Sequence, residues 1–121
     1  MKKIIIGVVE TIRINGKKYR ARIDTGAKRS SINKSLVKKL NLGPVSGKIE
    51  VKSSNGIAMR PLIKIEFILK GKKISSNFTV TDRSHMQYSI LIGRNSLRKG
   101  FLIDPSKKKS KQTFKKGLNQ N

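Results

Sequence analysis

Only six carboxylates stand among 121 residues, so the position of each is informative. Asp24 closes an alternating stretch that places Tyr19, Ala21 and Ile23 on one face, and Thr25-Gly26-Ala27 follows at once. A carboxylate at the mouth of a turn behind an apolar strand can serve as a general base on water. It can equally satisfy backbone N–H groups in an Asx turn or a helix cap. The tripeptide alone leaves both uses open. Other chemistry is more firmly bounded. There is no cysteine, which removes disulfides and thiolate metal sites, and His85 is the single imidazole, so a structural zinc site of His and Cys cannot be built. His85 lies in a polar loop and reads as a surface residue. Glu10, Glu50 and Glu66 read as strand-face charges.

The elements that must position Asp24 read mostly as short strands. Residues 3–9 form a β-branched run and residues 11–14 alternate with period two. Asn15-Gly16 then signals a two-residue hairpin turn, with residues 17–23 as the return strand. After the Asp24 turn comes Ser30-Ser31-Ile32. Asn33 or Ser35 is placed to cap a short helix through Leu36, Val37 and Leu40, stopped before Gly43-Pro44. Residues 50–53 and 58–63 flank Ser54-Asn55-Gly56 as a second hairpin, and Pro61 marks an edge or strand boundary. Residues 62–69 turn at Lys70-Gly71 and return over residues 74–81. Ile90-Leu91-Ile92-Gly93 is a buried strand, a short helix fits residues 95–99, and Phe101-Leu102-Ile103 follows. Tyr19, Phe67, Phe78 and Phe101 sit at strand spacing, as core. Many short strands with turns every ten or so residues predict an all-β, barrel-like single domain with one or two short helices. A small RNA-binding β barrel fits this level of reading equally well.

A second segment breaks that tie. Tyr88-Ser89-Ile90-Leu91-Ile92-Gly93-Arg94-Asn95-Ser96-Leu97 resembles the hydrophobic-hydrophobic-Gly-Arg-Asn segment of the retropepsins, single-lobe aspartic proteases. In that family the segment forms the strand and helix beside the catalytic loop, and Ser53-Ser54-Asn55-Gly56 falls where a retropepsin carries its flap. The resemblance is closer still to the RimK-associated branch, often labelled "ATP-dependent zinc protease". It is carried by Arg22-Ile23-Asp24-Thr25-Gly26-Ala27-Lys28, by Thr81-Asp82-Arg83 and Met86, and by Leu91-Ile92-Gly93-Arg94 through Gly100-Phe101-Leu102-Ile103-Asp104-Pro105.

The resemblance implies a retropepsin-like barrel and an aspartic endopeptidase. One carboxylate cannot both activate water and protonate a departing product, whereas two that share a proton can. The chain supplies one Asp-Thr-Gly, so Asp24 of a second copy is the expected partner and a homodimer the expected assembly. By the same resemblance Thr25 braces the two loops, Gly26 presents its carbonyl to substrate, Ala27 completes the loop, and Gly93, Arg94 and Asn95 support it. Asn55 and Gly56 close over the peptide. Lys28 and Arg29, at positions that line subsites next to the scissile bond, predict an acidic, glutamate-rich peptide substrate, with Arg60 and Arg94 adding to the same wall. Retropepsins commonly place an acid after Asp-Thr-Gly-Ala to pair with the Arg of the second motif. Lys28 and Arg29 stand there instead, which leaves Asp104 and Asp82 as candidate partners of Arg94. The zinc and ATP of the label find no ligand set and no phosphate-binding glycine loop, so no metal and no cofactor is expected. The terminal dimer strands of viral retropepsins are not evident either.

Twenty-nine Lys and Arg give a formal charge of +23, a field that attracts polyanions. Residues 1–106 are expected to form the protease domain. Residues 107–121, with Lys107, Lys108, Lys109, Lys111, Lys115 and Lys116 and no acid, read as a disordered basic tail that contacts nucleic acid or the ribosome. The apolar run after Met1 stops at Glu10, short for a secretory signal, and no segment reaches the ~20 apolar residues that span a bilayer. The expected location is the cytoplasm, with no membrane partner. Two other functions stay open beside the peptidase: a basic β barrel that binds RNA or the ribosome, and a protease-fold scaffold that holds peptides without cutting them.

Overall fold

The computed structural model describes residues 2–107. The chain runs through β1 (Ile4–Ile6), β2 (Val9–Ile14), β3 (Lys17–Ile23), β4 (Ser30–Asn33), α1 (Lys34–Lys39), β5 (Val45–Ser53), β6 (Gly56–Leu69), β7 (Lys72–Thr81), β8 (Ile90–Ile92), α2 (Arg94–Leu97) and β9 (Phe101–Ile103). The expected all-β architecture with two short helices is what forms. Strand order in the main sheet is β2-β3-β8-β4-β7-β6-β5, and β2 also pairs β6 through Ile12↔Leu69 and Arg13↔Ile68. That extra pairing closes β2, β3, β8, β4, β7 and β6 into a six-stranded barrel, with β5 hanging on the outside of β6. Alternation decides what fills it. Ile12 and Ile14 of β2, Ile63, Ile65, Phe67 and Leu69 of β6, and Ile90 and Ile92 of β8 point inward and are essentially sealed from water. Phe67 and Phe78 meet edge to face, 5.6 Å between centroids, at the middle of this core.

The turn chemistry follows the sequence. Asn15 and Gly16 take φ of 51° and 79°, and Lys70 and Gly71 take 52° and 77°, the doubly positive geometry of tight hairpins. Elsewhere the structure regroups the expected strands. Residues 3–9 are not one strand: β1 ends at Ile6, and it pairs in parallel with β9 in a separate two-stranded sheet. Residues 58–63 and 62–69 are one continuous strand, β6, in which Pro61 marks a change of partner. The β7 pairing begins at Leu62, and residues 56–61 pair only with β5. A residue without an N–H fits there because one edge has no neighbour. The arm beyond Pro61 carries exposed Ile57 and Met59.

Asn33 occupies the N-cap of α1, but its side chain makes no cap bond. Its amide donates to Ser35 Oγ and its carbonyl oxygen accepts from Arg83 N. Glu10 lies on β2 as expected of a strand-face charge, but not on a solvent-facing side. It is buried, accepts the Gly7 N–H at 2.7 Å and pairs with Lys70 at 3.5 Å, which stitches the β1–β2 bend. Lys107 still belongs to the domain, since its N–H reaches Asp104 O and its ammonium reaches Ile5 O. The remainder of the basic tail lies outside the described residues. No helix among the described residues is long and apolar enough to cross a membrane.

Candidate active site

Asp24 follows β3 directly. Its N–H donates to Ile92 O at 2.9 Å, which carries the parallel β3–β8 ladder one step past the last paired residues, Ile23 and Ile92. The chain then turns, with Ala27 N reaching back to Asp24 O and Gly26 N donating to Asp24 Oδ1 at 2.9 Å. One carboxylate oxygen is therefore fixed by backbone, and the side chain is only partly buried. Thr25 and Gly26 are exposed, so the loop is presented to whatever approaches this face. Among the described residues no three acids or histidines cluster as metal ligands would.

The second motif holds the loop from below. Arg94 N donates to Ala27 O at 2.8 Å and Asn95 N to Lys28 O at 3.2 Å, which ties the start of α2 to the Asp24 loop. Gly93 is required by proximity: a Cβ there would lie 2.5 Å from Arg29 O and 2.6 Å from Arg29 C. The guanidinium of Arg94 does not pair with Asp104 or Asp82. Its Nη1 donates to Thr25 O at 2.9 Å. Both candidate acids are engaged locally, Asp82 by the hydroxyl and N–H of Ser84 and Asp104 by those of Ser106. Those bonds hold both carboxyls below the usual range.

Ser30, which the residue pattern does not single out, is the hub beneath the loop. Its N–H and its hydroxyl both donate to Asn95 Oδ1 at 2.9 Å, and its Oγ accepts the Gly93 N–H at 3.0 Å. Ser96 Oγ lies 2.8 Å away, and with the single Ser30 proton committed to Asn95, Ser96 is the donor. Asn95 continues through its amide to Asn77 O. The only advance signal was a pair of serines, Ser30 and Ser31, in a strand that is buried along its whole length. A second residue not marked as functional is Arg83, buried between β4 and the loop after β7.

Lys28, Arg29 and Arg94 come together as expected. With Arg98, Asn77 and Asn95 they line a cleft of about 400 Å³ that carries four cations and no acid. Arg60 does not line it; it stands on β6 opposite Ile49. Ser54 and Asn55 form the turn of the β5–β6 hairpin, and Gly56 opens β6 opposite Ser53. Phe67, Phe78 and Phe101 are all buried, so the described phenylalanines offer no platform for nucleobases.

Comparison with known proteins agrees with this geometry. Residues 41–113 match the family model described as RimB-like, retropepsin-like aspartic endopeptidase RimB. That match begins after the Asp24 loop. No curated protein matches the chain. Among solved structures, the fold is similar to Lpg0085, a Legionella pneumophila protein of unknown function, with a TM-score of 0.64 and 20% identity over 88% of this chain and 96% of that one. It is also similar to the simian foamy virus (mac) protease, with a TM-score of 0.60 and 17% identity over 74% and 91% of the two chains.

Proposed function

Because the chain belongs to the RimB-like family of retropepsin-like aspartic endopeptidases, we propose that it hydrolyses peptide bonds with a dyad of Asp24 carboxylates drawn from two copies. The observation that carries this reading is the Asp24 loop itself. The Asp24 main chain extends the ladder to β8 through Ile92 O, Gly26 N–H engages one oxygen of the partly exposed carboxylate as in an Asx turn, and Thr25 and Gly26 beside it are exposed. In the working state the dyad holds one proton. The ionised Asp24 takes a proton from water as the oxygen attacks the scissile carbonyl carbon. The protonated Asp24 of the second copy gives its proton to the carbonyl oxygen. The tetrahedral diol then collapses: the C–N bond breaks, the nitrogen leaves with a proton from the dyad, and the carboxylic acid product returns one.

Substrate preference follows from charge. The cleft of Lys28, Arg29, Arg94 and Arg98 favours acidic, glutamate-rich peptides through charge-assisted hydrogen bonds that neutral peptides lack. The buried phenylalanines weigh against the RNA-binding reading. The test is hydrolysis of an acidic peptide library by the wild type and by Asp24→Asn. Activity should vanish in the variant while its melting temperature holds or rises, because two close carboxylates repel each other. An active Asp24→Asn variant refutes the mechanism. A folded wild type that binds such peptides and cuts none leaves the scaffold reading in its place.

A further inference from the structure

Three residues on different strands share one face beside Asp24. Ser31 of β4 pairs with Leu91 of β8, and Leu91 pairs with Arg22 of β3. Register partners project to the same side of a sheet, and their neighbours Ile32, Ile90, Ile92 and Ile23 point into the barrel. Ser31, Leu91 and Arg22 therefore form a row on the outer face. Asp24 lies two residues beyond Arg22 and continues the β3–β8 ladder, which turns it to that same side.

Arg83 reaches this row from the loop after β7. Its Nε donates to Tyr88 O at 3.0 Å, and its Nη1 approaches Ser31 Oγ at 3.4 Å. These contacts engage two of its five N–H donors. The side chain is 8% exposed, yet no carboxylate pairs with it; among the described residues the only ion pair joins Lys70 to Glu10. Burial loosens its hold on the proton, and the like charge of Arg22 loosens it further, with the Asp24 carboxylate opposing both. A buried guanidinium set against a second one is a costly arrangement unless an anion comes to it. The loop alone does not require a cation here, since a neutral donor could bridge Tyr88 O and Ser31.

We propose that Arg22 and Arg83 form a carboxylate-binding subsite that takes the acidic side chain of the substrate residue flanking the scissile bond. The inference rests on the peptidase reading and sharpens it. The cleft of Lys28, Arg29, Arg94 and Arg98 is lined by a different set of residues. The Arg22–Arg83 pair stands in the row next to Asp24 and reads the residue at the cut. In the twofold dimer the same pair recurs on the other side of the bond. Glutamate and glutamine have nearly the same shape, so the pair should separate them by charge and by the guanidinium fork.

The experiment uses the full chain and matched peptides with Glu, Gln or Lys at the two positions flanking the bond, neutral elsewhere, at one moderate salt concentration. In the wild type kcat/KM for the Glu peptide should exceed that for the Gln peptide by about tenfold or more. Arg22 is exposed, so its variants test the idea without the risk to folding that attends Arg83. Arg22→Gln should bring the ratio close to one, and Arg22→Glu should move the preference toward the Lys peptide. Arg83→Lys, which keeps the charge but not the fork, should lower the ratio part of the way. Lys17→Gln, at the opposite end of β3, should leave it alone. A wild-type ratio near one overturns the subsite, as does a ratio that Arg22→Gln leaves intact or that Lys17→Gln lowers equally. If the wild type cuts none of these peptides, the peptidase reading fails and the subsite is judged by equilibrium binding to Asp24→Asn. Tighter binding of the Glu peptide, lost on adding Arg22→Gln, supports it; equal binding of the Glu and Gln peptides rejects it.

Discussion

Replacing Ser30 by alanine tests whether the catalytic loop is held from beneath by one hydroxyl. Ser30 is fully buried, and its Oγ joins three partners: Asn95 Oδ1, the Gly93 N–H and Ser96 Oγ. Alanine fits the space, so neither a cavity nor a clash confuses the result. Each bond contributes about 1 kcal/mol net, which gives roughly 3 kcal/mol for the set. Among the described residues the Gly93 N–H has no second acceptor and would be left buried without one, which places the cost toward the upper end. For a domain of this size about 4 °C in melting temperature accompanies each kcal/mol, so Ser30→Ala should melt roughly 12 °C below the wild type. Urea unfolding followed by far-UV circular dichroism measures the free energy directly, and an unchanged denaturant slope would show that the unfolded state is unaffected. Peptidase activity should fall as well, because Asn95 and Gly93 carry the start of α2 that pins the loop. A loss below about 1 kcal/mol would refute the hub, since it would mean that water or a shifted Asn95 replaces the hydroxyl at little cost.

Two further outcomes follow from the same geometry. Gly93→Ala should destabilise by about 3 kcal/mol or more, because the new methyl meets main-chain atoms of Arg29 and Ala27 that cannot swing away; unfolding at the wild-type urea midpoint would contradict it. The carboxyls of Asp82 and Asp104 are held below their ordinary value of 3.8 by Ser84 and Ser106, so their contribution to stability is present above that value and is lost as pH falls through the depressed one. A Ser84→Ala, Ser106→Ala double variant should therefore have a flatter curve of melting temperature against pH below about pH 5, converging on the wild type in acid; parallel curves would show that the serines do not set these groups.

Much of this fold is legible in the residues because its determinants are local. Asn15-Gly16 and Lys70-Gly71 specify turns by backbone conformation, and alternating isoleucines specify which face is buried. The Asp-Thr-Gly and Gly-Arg-Asn segments are legible for a similar reason, since each is short and contiguous. What escapes is set by distant partners. The β2–β6 pairing that closes the barrel joins strands more than fifty residues apart, and the parallel β3–β8 and β4–β7 pairings leave no turn to announce them. The partner of Arg94 escapes because it is the carbonyl of Thr25, and a main-chain acceptor is the same for every residue type. Glu10 reads as a strand-face charge, and its burial escapes because it depends on the Gly7 bend and on Lys70 arriving from a hairpin far along the chain. Pro61 reads as an edge or strand boundary, and the structure puts the change between partners of one strand rather than between two strands.

The central claim is that each active site needs Asp24 from two copies, and a mixing experiment addresses it most directly. Wild-type chains and Asp24→Asn chains are combined in equal amounts, allowed to exchange, and assayed at the total chain concentration of the pure wild type. Random pairing makes about a quarter of the dimers wild type in both copies, so activity should fall to about a quarter of the unmixed value. Activity of about half would mean that each chain cuts with its own carboxylate alone, and the shared dyad would be wrong.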